Sequence, residues 1–267
     1  KFYYPGLKLL DEINKLNINN IQKSTDKINF TSNIKFKNIS FSYDEKKILN
    51  NLSFTINKKS ITGLIGKTGV GKTTMLDVLL GFNEPSTGSI IINDKILNKS
   101  DICKLCNITG YVSQNIAFLD NSIAQNIAFG VSKSEININL IHELIDCVKL
   151  TDLVKSLPNG IFTNIGENGI KLSGGQCQRI GIARALYSQP SLLIFDEATN
   201  AVDSNTEKEI IESIKKYTNN SITIIIITHR LSSIKLCDKV LILNKDNILS
   251  VDKNEITPEL LENSLKK

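Results

Sequence analysis

Residues 64–75 read LIGKTGVGKTTM, placing three glycines, two lysines and three threonines directly after an apolar run at residues 61–65. The segment is too glycine-rich for a strand and too broken for a helix before its end, yet it is dense in hydrogen-bond donors. Written as Gly66-x-x-x-x-Gly71-Lys72-Thr73, it fits a phosphate-binding loop. In such a loop the backbone N–H groups of Gly66, Lys67, Thr68, Gly69, Val70, Gly71, Lys72, Thr73 and Thr74 surround phosphate oxygens. The Lys72 ammonium reaches the β/γ-phosphates, and the Thr73 hydroxyl sits on Mg²⁺. Glycine removes the Cβ that would block a close anion, and a helix opening near Gly71 aims its free N–H groups and positive dipole end at the charge. A plain glycine turn between strand and helix is the competing account. The pattern arises by chance in about one chain of this size in a hundred.

Three further groups bear on the same chemistry. The apolar run SLLIFDE ends in Asp196 and Glu197, and ligands of open α/β sheets gather at the carboxyl ends of strands, the edge that also carries a phosphate loop. Asp196 could hold Mg²⁺ there while Glu197 polarises a water. A surface turn capped by two acids would be the reading without the loop. His229 leaves the strand IIIIT on the same edge, unlike His142, the second of two histidines, which reads as an ordinary surface or core residue. LSGGQ at residues 172–176 opens a helical run and offers another cluster of unsatisfied N–H groups.

These residues need a scaffold that brings distant strand ends together. Alternation in IKFKNISFSY and LSFTI predicts antiparallel strands within residues 34–65, and a helix is expected over 72–80. Short strands at GSIIIN, ITGYVS, SLLIFDE, SITIIIIT and KVLILN alternate with helical stretches, the pattern of an α/β sheet with parallel central strands. Between residues 115 and 179 the helical signal dominates, which predicts an inserted helical subdomain. Upstream, Leu9, Leu10, Ile13 and Leu16 share one helical face after Pro5, and residues 17–32, rich in Asn, Lys, Ser and Thr, read as a linker. The expected division is therefore 1–32 for helix and linker, then a compact unit over 33–267.

Composition narrows the functional classes. The 267 residues are 41% hydrophobic, enough for a full core. Apolar runs such as residues 222–227 fall far short of the roughly 18–20 residues a bilayer crossing needs, and no signal peptide opens the sequence. A net charge of +5 from 32 basic and 27 acidic residues, interspersed, predicts a solvated mixed surface and no nucleic-acid partner. Five cysteines include a C-x-x-C pair, Cys103 and Cys106, with no second pair to complete a zinc site, so reduced thiols are expected. That places the chain in the cytosol or on the cytosolic side of a membrane. The sequence starts at Lys1, which suggests a piece of a longer polypeptide.

In combination and in this order, the phosphate loop, LSGGQ and LLIFDEAT resemble the nucleotide-binding domain of the ATP-binding cassette (ABC) proteins over about residues 33–252. The resemblance implies a P-loop NTPase core with a mainly parallel sheet, an antiparallel β subdomain and an inserted helical subdomain, and ATP with Mg²⁺ at the site. It implies that Tyr43 stacks on adenine, and that Gln114, in YVSQ, touches Mg²⁺ and the attacking water while sensing a transmembrane partner. Asp196 joins Thr73 and Gln114 at the metal, Glu197 is the general base and His229 contacts the γ-phosphate. Ser173, Gly174, Gly175 and Gln176, with Asp203 ending NAVD, would face the ATP of an opposite subunit, closing a head-to-tail homodimer. Residues 163–169 resemble the X-loop of exporters. Cys177, Asn168 and NAVD depart from the usual family residues, which bears on coupling across the dimer and removes no catalytic group.

The short C-terminal segment TPELLENSLKK, the N-terminal helix and linker, and FLDNSIAQNIAFG resemble an exporter half-transporter, with a transmembrane domain of the same polypeptide preceding residue 1. The expected location is the cytoplasmic face of the cell membrane. KFYYPGLKLL, NIAFG and LPNGIFTNIGENGIKLSGGQ resemble bacterial lipid-linked oligosaccharide flippases and related lipid or polysaccharide exporters. Peptide or protein secretion exporters share the ATPase motifs. ABC ATPases acting on nucleic acid usually show coiled-coil insertions, zinc modules or two cassettes, and none of these features is present in the sequence.

Overall fold

A computed structural model describes residues 28, 30–166, 169–245, 247–252, 255–257 and 259. The N-terminal helix and most of its linker, Glu167 and Asn168 of the X-loop segment, and most of TPELLENSLKK lie outside the described residues.

Two sheets carry the fold. In the first, β1 (Ile34–Tyr43), β2 (Lys46–Ile56), β4 (Thr87–Ile92) and β5 (Lys95–Ile96) run in the order β2-β1-β4-β5 with antiparallel neighbours. β1 alternates buried Ile34 and Phe36 with exposed Lys35 and Lys37, as a half-covered sheet requires. Phe36 stacks on Phe54 of β2 with ring centroids 4.2 Å apart. The second sheet comprises β3 (Ile61–Ile65), β6 (Thr109–Val112), β7 (Leu192–Asp196), β8 (Thr223–Ile227), β9 (Lys239–Leu243) and β10 (Ile248–Asp252), in the order β10-β9-β3-β8-β7-β6. All its neighbours are parallel except the edge strand β10. The expected mainly parallel core and antiparallel β subdomain are both present.

The central strands are apolar without interruption because both faces are covered. On β7, Leu192 and Ile194 join a core with Leu64, Ile225, Ile227 and the helix α1 (Lys72–Leu79), while Leu193 and Phe195 face a second core with Ile224, Ile226 and Ile182. The sheet is thus a shared wall between two cores. The helix α2 (Lys99–Cys106), not anticipated from the sequence, begins at a capping box between Asn98 and Asp101 and carries the C-x-x-C pair. Cys106 Sγ donates to the Leu80 carbonyl at 2.9 Å.

Residues 115–179 contain α3 (Ile123–Ile127), α4 (Ile138–Cys147) and α5 (Thr151–Ser156), with short 3₁₀ turns at Lys133–Glu135 and Gly160–Phe162. The long helix α6 (Gly174–Tyr187) leads from them back to the sheet, followed by α7 (Ser204–Tyr217) and the short α8 (Leu231–Ile234). Arg184 of α6 ties this region down. Its guanidinium lies about 5 Å from the Phe118 and Phe129 rings and donates to the carbonyls of Ala117 and Asn126.

Candidate active site

The loop from β3 to α1 takes its shape from glycine. Gly66, Gly69 and Gly71 all have positive φ, and a Cβ on Gly66 would collide with the Leu243 carbonyl oxygen. Gly71 is the N-cap of α1 and makes no side-chain cap, so the helix opens with its N–H groups toward the loop. Lys72, 8% exposed, folds back over the loop and donates from Nζ to the carbonyls of Gly66 at 2.7 Å and Lys67 at 3.0 Å. Burial pushes its ammonium below the usual lysine range, while Glu197 and Asp196 pull in the opposite direction.

A cavity of about 220 Å³ lies against this loop, lined by Thr68, Gly69, Gly71, Lys72, Thr73 and Thr74 on one side and by Asp196, Glu197 and His229 on the other. The parallel pairing of β3, β8 and β7 explains the convergence, since all three strands end on one edge. Glu197 turns off β7 in the left-handed region at φ 52°, with its N–H donating to the Ile227 carbonyl at 3.0 Å. That conformation is unfavourable for a residue with a Cβ. It accompanies a carboxylate placed 3.1 Å from His229 Nε2. One face of the cavity therefore offers N–H groups and an ammonium, and the other a pair of carboxylates with an imidazole. Such a site can hold a polyphosphate beside an oxygen nucleophile.

Mg²⁺ suits the donors present. The Thr73 hydroxyl and Asp196 carboxylate are hard oxygen ligands, and this ion is ordinarily held by one or two carboxylates plus substrate phosphates. No group of three or more His, Cys, Asp or Glu that could hold a metal occurs among the described residues.

Other expected site residues lie elsewhere. Gln114 is exposed just beyond β6 and does not line this cavity. Tyr43 ends β1, meets Phe41 edge-on at 4.8 Å and accepts a hydrogen bond from Asn83 Nδ2 at 2.9 Å, also outside the cavity lining. Ser173, Gly174, Gly175 and Asp203 line a second pocket of about 360 Å³ with Arg179. Ser173 and Gln176 form a reciprocal capping box at the start of α6: Ser173 Oγ accepts from the Gln176 N–H, and Gln176 Oε1 accepts from the Ser173 N–H. The two glycines let residues 199–203 approach, because a Cβ on Gly175 would sit 2.9 Å from the Ala201 carbonyl oxygen. Asp203 caps α7, and hydrogen bonding to Thr206 holds its carboxyl below the usual range.

Two residues at the site escaped the sequence reading. Tyr111 of β6 donates to Asp196 Oδ2 at 2.7 Å. Arg230, next to His229, reaches the carbonyls of Thr199 and Val202 at 2.7 and 2.6 Å and lies 3.8 Å from the fully buried Glu207 carboxyl, which also accepts from Ser233 Oγ at 2.6 Å. The signal for Arg230 was its adjacency to His229, whereas Tyr111 gave none beyond strand alternation. Arg230→Ala is expected to lower unfolding stability by about 2–4 kcal/mol, because it strands a buried acid and two carbonyls. Urea unfolding checks this, and Glu207→Gln in the same background should restore part of the loss.

A family profile described as ABC transporter matches residues 49–200. An export ATP-binding/permease protein of Rickettsia bellii is 40% identical over 218 residues, 79% of this chain and 37% of the relative. An ATP-dependent lipid A-core flippase of Ralstonia nicotianae is 36% identical over 219 residues, 81% of this chain and 37% of the relative. The solved structure of a bacterial Atm1-family ABC exporter with ATP bound superposes with a TM-score of 0.78 at 29% identity, covering 97% of this chain and 46% of that one. The chain thus spans little more than a third of the length of these curated relatives. With this sequence match, this P-loop NTPase fold and this cavity, the chain belongs to the ABC transporter family and comprises its ATP-binding, ATP-hydrolysing domain.

Proposed function

We propose that this domain drives an exporter by hydrolysing ATP in the cavity between the phosphate loop and the ends of β7 and β8. The convergence of Lys72, Asp196, Glu197 and His229 on one cavity carries the reading. The loop amides of residues 66–74 and Lys72 bind the phosphates, and Glu197, steadied by His229, accepts a proton from the attacking water. His229 then contacts the γ-phosphate. Thr73, Asp196 and Gln114 would hold Mg²⁺, which when bound neutralises charge on the phosphates. Gln114 lies outside the cavity lining, and its part rests on the family resemblance alone.

Ser173, Gly174, Gly175 and Asp203 belong to a different pocket, with Gln176 bonded to Ser173 beside it, and in this reading all five serve ATP held by a second copy. Two chains close head-to-tail over two nucleotides in this scheme. The division at residues 32/33, a transmembrane domain of the same polypeptide, and a position on the cytoplasmic face of the cell membrane complete the proposal. Among the described residues no helix is long and apolar enough to cross a membrane. Gene sequence upstream of Lys1 tests the exporter reading: several apolar spans of about 20 residues support it, and a start codon close by without them overturns it.

For the exported molecule, the lipid A-core flippase relatives favour a lipid-linked or polysaccharide-type substrate. A relative named as a mitochondrial iron-sulfur clusters transporter, 36% identical over 92% of this chain, shares the same ATPase region. Transport by the full-length protein in proteoliposomes, with a lipid-linked oligosaccharide as probe, decides between them. At the nucleotide base, Tyr43→Ala should weaken ATP binding by about 1–3 kcal/mol if the ring stacks on adenine. Tyr43→Phe should bind nearly normally, although it loses the Asn83 hydrogen bond. Fluorescent-nucleotide titration of both variants gives the answer.

A further inference from the structure

Tyr111 and Asp196 come together through strand order. β6 lies beside β7 in parallel register, with Tyr111 opposite Ile194. Paired residues of parallel strands point to the same face, and so do residues two apart on one strand, so Tyr111, Ile194 and Asp196 share a face. Two residues span about 6.6 Å, a gap that a tyrosine side chain bridges but a shorter side chain does not. The ring runs along the sheet, and its hydroxyl meets Asp196 Oδ2 at 2.7 Å, in the range of a charge-assisted O–H···O⁻ bond. An ionised carboxylate only accepts, so the hydroxyl is the donor.

We propose that Tyr111 is a positioning residue for the metal site, its hydroxyl holding one oxygen of Asp196 so that the carboxylate stays fixed toward Thr73 and the phosphates. The inference rests on the reading that Asp196 is a Mg²⁺ ligand, and it adds a partner from the neighbouring strand that sets the ligand's orientation. Support from a hydrogen-bonded outer partner is a common determinant of metal affinity, and its loss typically weakens binding tenfold or more.

The test uses Tyr111→Phe, which keeps the ring and its packing and removes the hydroxyl alone. Affinity for a non-hydrolysable ATP analogue is measured on the 267-residue chain with excess Mg²⁺ and again with a chelator, and the ratio reports how far the metal tightens nucleotide binding. Tyr111→Phe is expected to reduce that ratio about tenfold while the chelator value stays within about twofold of the parent. In an Asp196→Asn background, which has already lost the ligand charge, adding Tyr111→Phe should change nothing further. An unchanged ratio in Tyr111→Phe overturns the proposal, as does an equal loss with and without metal, which would mark a packing role. An unchanged ratio in Asp196→Asn would remove the underlying assignment of Asp196, and the proposal with it.

Discussion

Glu197→Gln is expected to bind ATP like the parent while hydrolysing it about 10²-fold more slowly or worse. The amide keeps the shape of the side chain and can still hydrogen-bond His229, which stands 3.1 Å from Glu197 Oε1, but it cannot take a proton from water. ATP therefore persists. If each ATP bridges a phosphate loop and the opposing Ser173–Gly175 pocket, the variant should accumulate as a dimer in ATP and Mg²⁺ and return to monomer in ADP. In the parent, specific activity should rise with protein concentration. Light scattering and phosphate release across a concentration series check both. A variant that stays monomeric in ATP at high concentration, or parent activity independent of concentration, would refute the in-trans assignment of Ser173 and Gly175 and leave the nucleotide cavity standing.

Lys72→Ala should lose about two orders of magnitude in ATP affinity, within the roughly 2–5 kcal/mol typical of truncating one partner of a buried charge pair. The side chain is a buried cation on the loop side of the cavity, and a methyl group in its place supplies neither charge nor donor. Calorimetric titration with ATP reads the loss, and an unchanged melting temperature separates it from unfolding. Undiminished affinity would displace the phosphates from this loop.

The parts of the site that could be read from the sequence are those written in contiguous residues. Gly66, Gly71, Lys72 and Thr73 occupy one loop, and the apolar runs before Asp196 and His229 announce strands whose ends had to meet if the sheet was parallel. Contacts that depend on strand order stayed hidden. Tyr111 and Asp196 are 85 residues apart and meet only because β6 is the neighbour of β7. Arg230 reaches Thr199 across 31 residues through a loop whose path no local pattern encodes. The helix α2 is hard to read locally because its eight residues make barely two turns: Ile102, Leu105 and Cys106 share a face, but so short a run does not separate a helix from a loop. Tyr43 and Gln114 are placed at the nucleotide by family resemblance rather than by geometry, and both lie off the cavity lining.

The two bonds from Lys72 Nζ to the Gly66 and Lys67 carbonyls bear on the energetics of nucleotide capture. A loop braced by its own lysine has its curvature set by contacts internal to the chain. It is preorganised, and a ligand that fits that curvature need not bear the entropy of freezing the loop backbone. Phosphate arrival becomes an exchange of acceptors, in which the ammonium trades carbonyl oxygens for anionic ones. Such an exchange should give a heat of binding dominated by charged hydrogen bonds and a heat-capacity change no larger than the apolar area covered by the adenine requires.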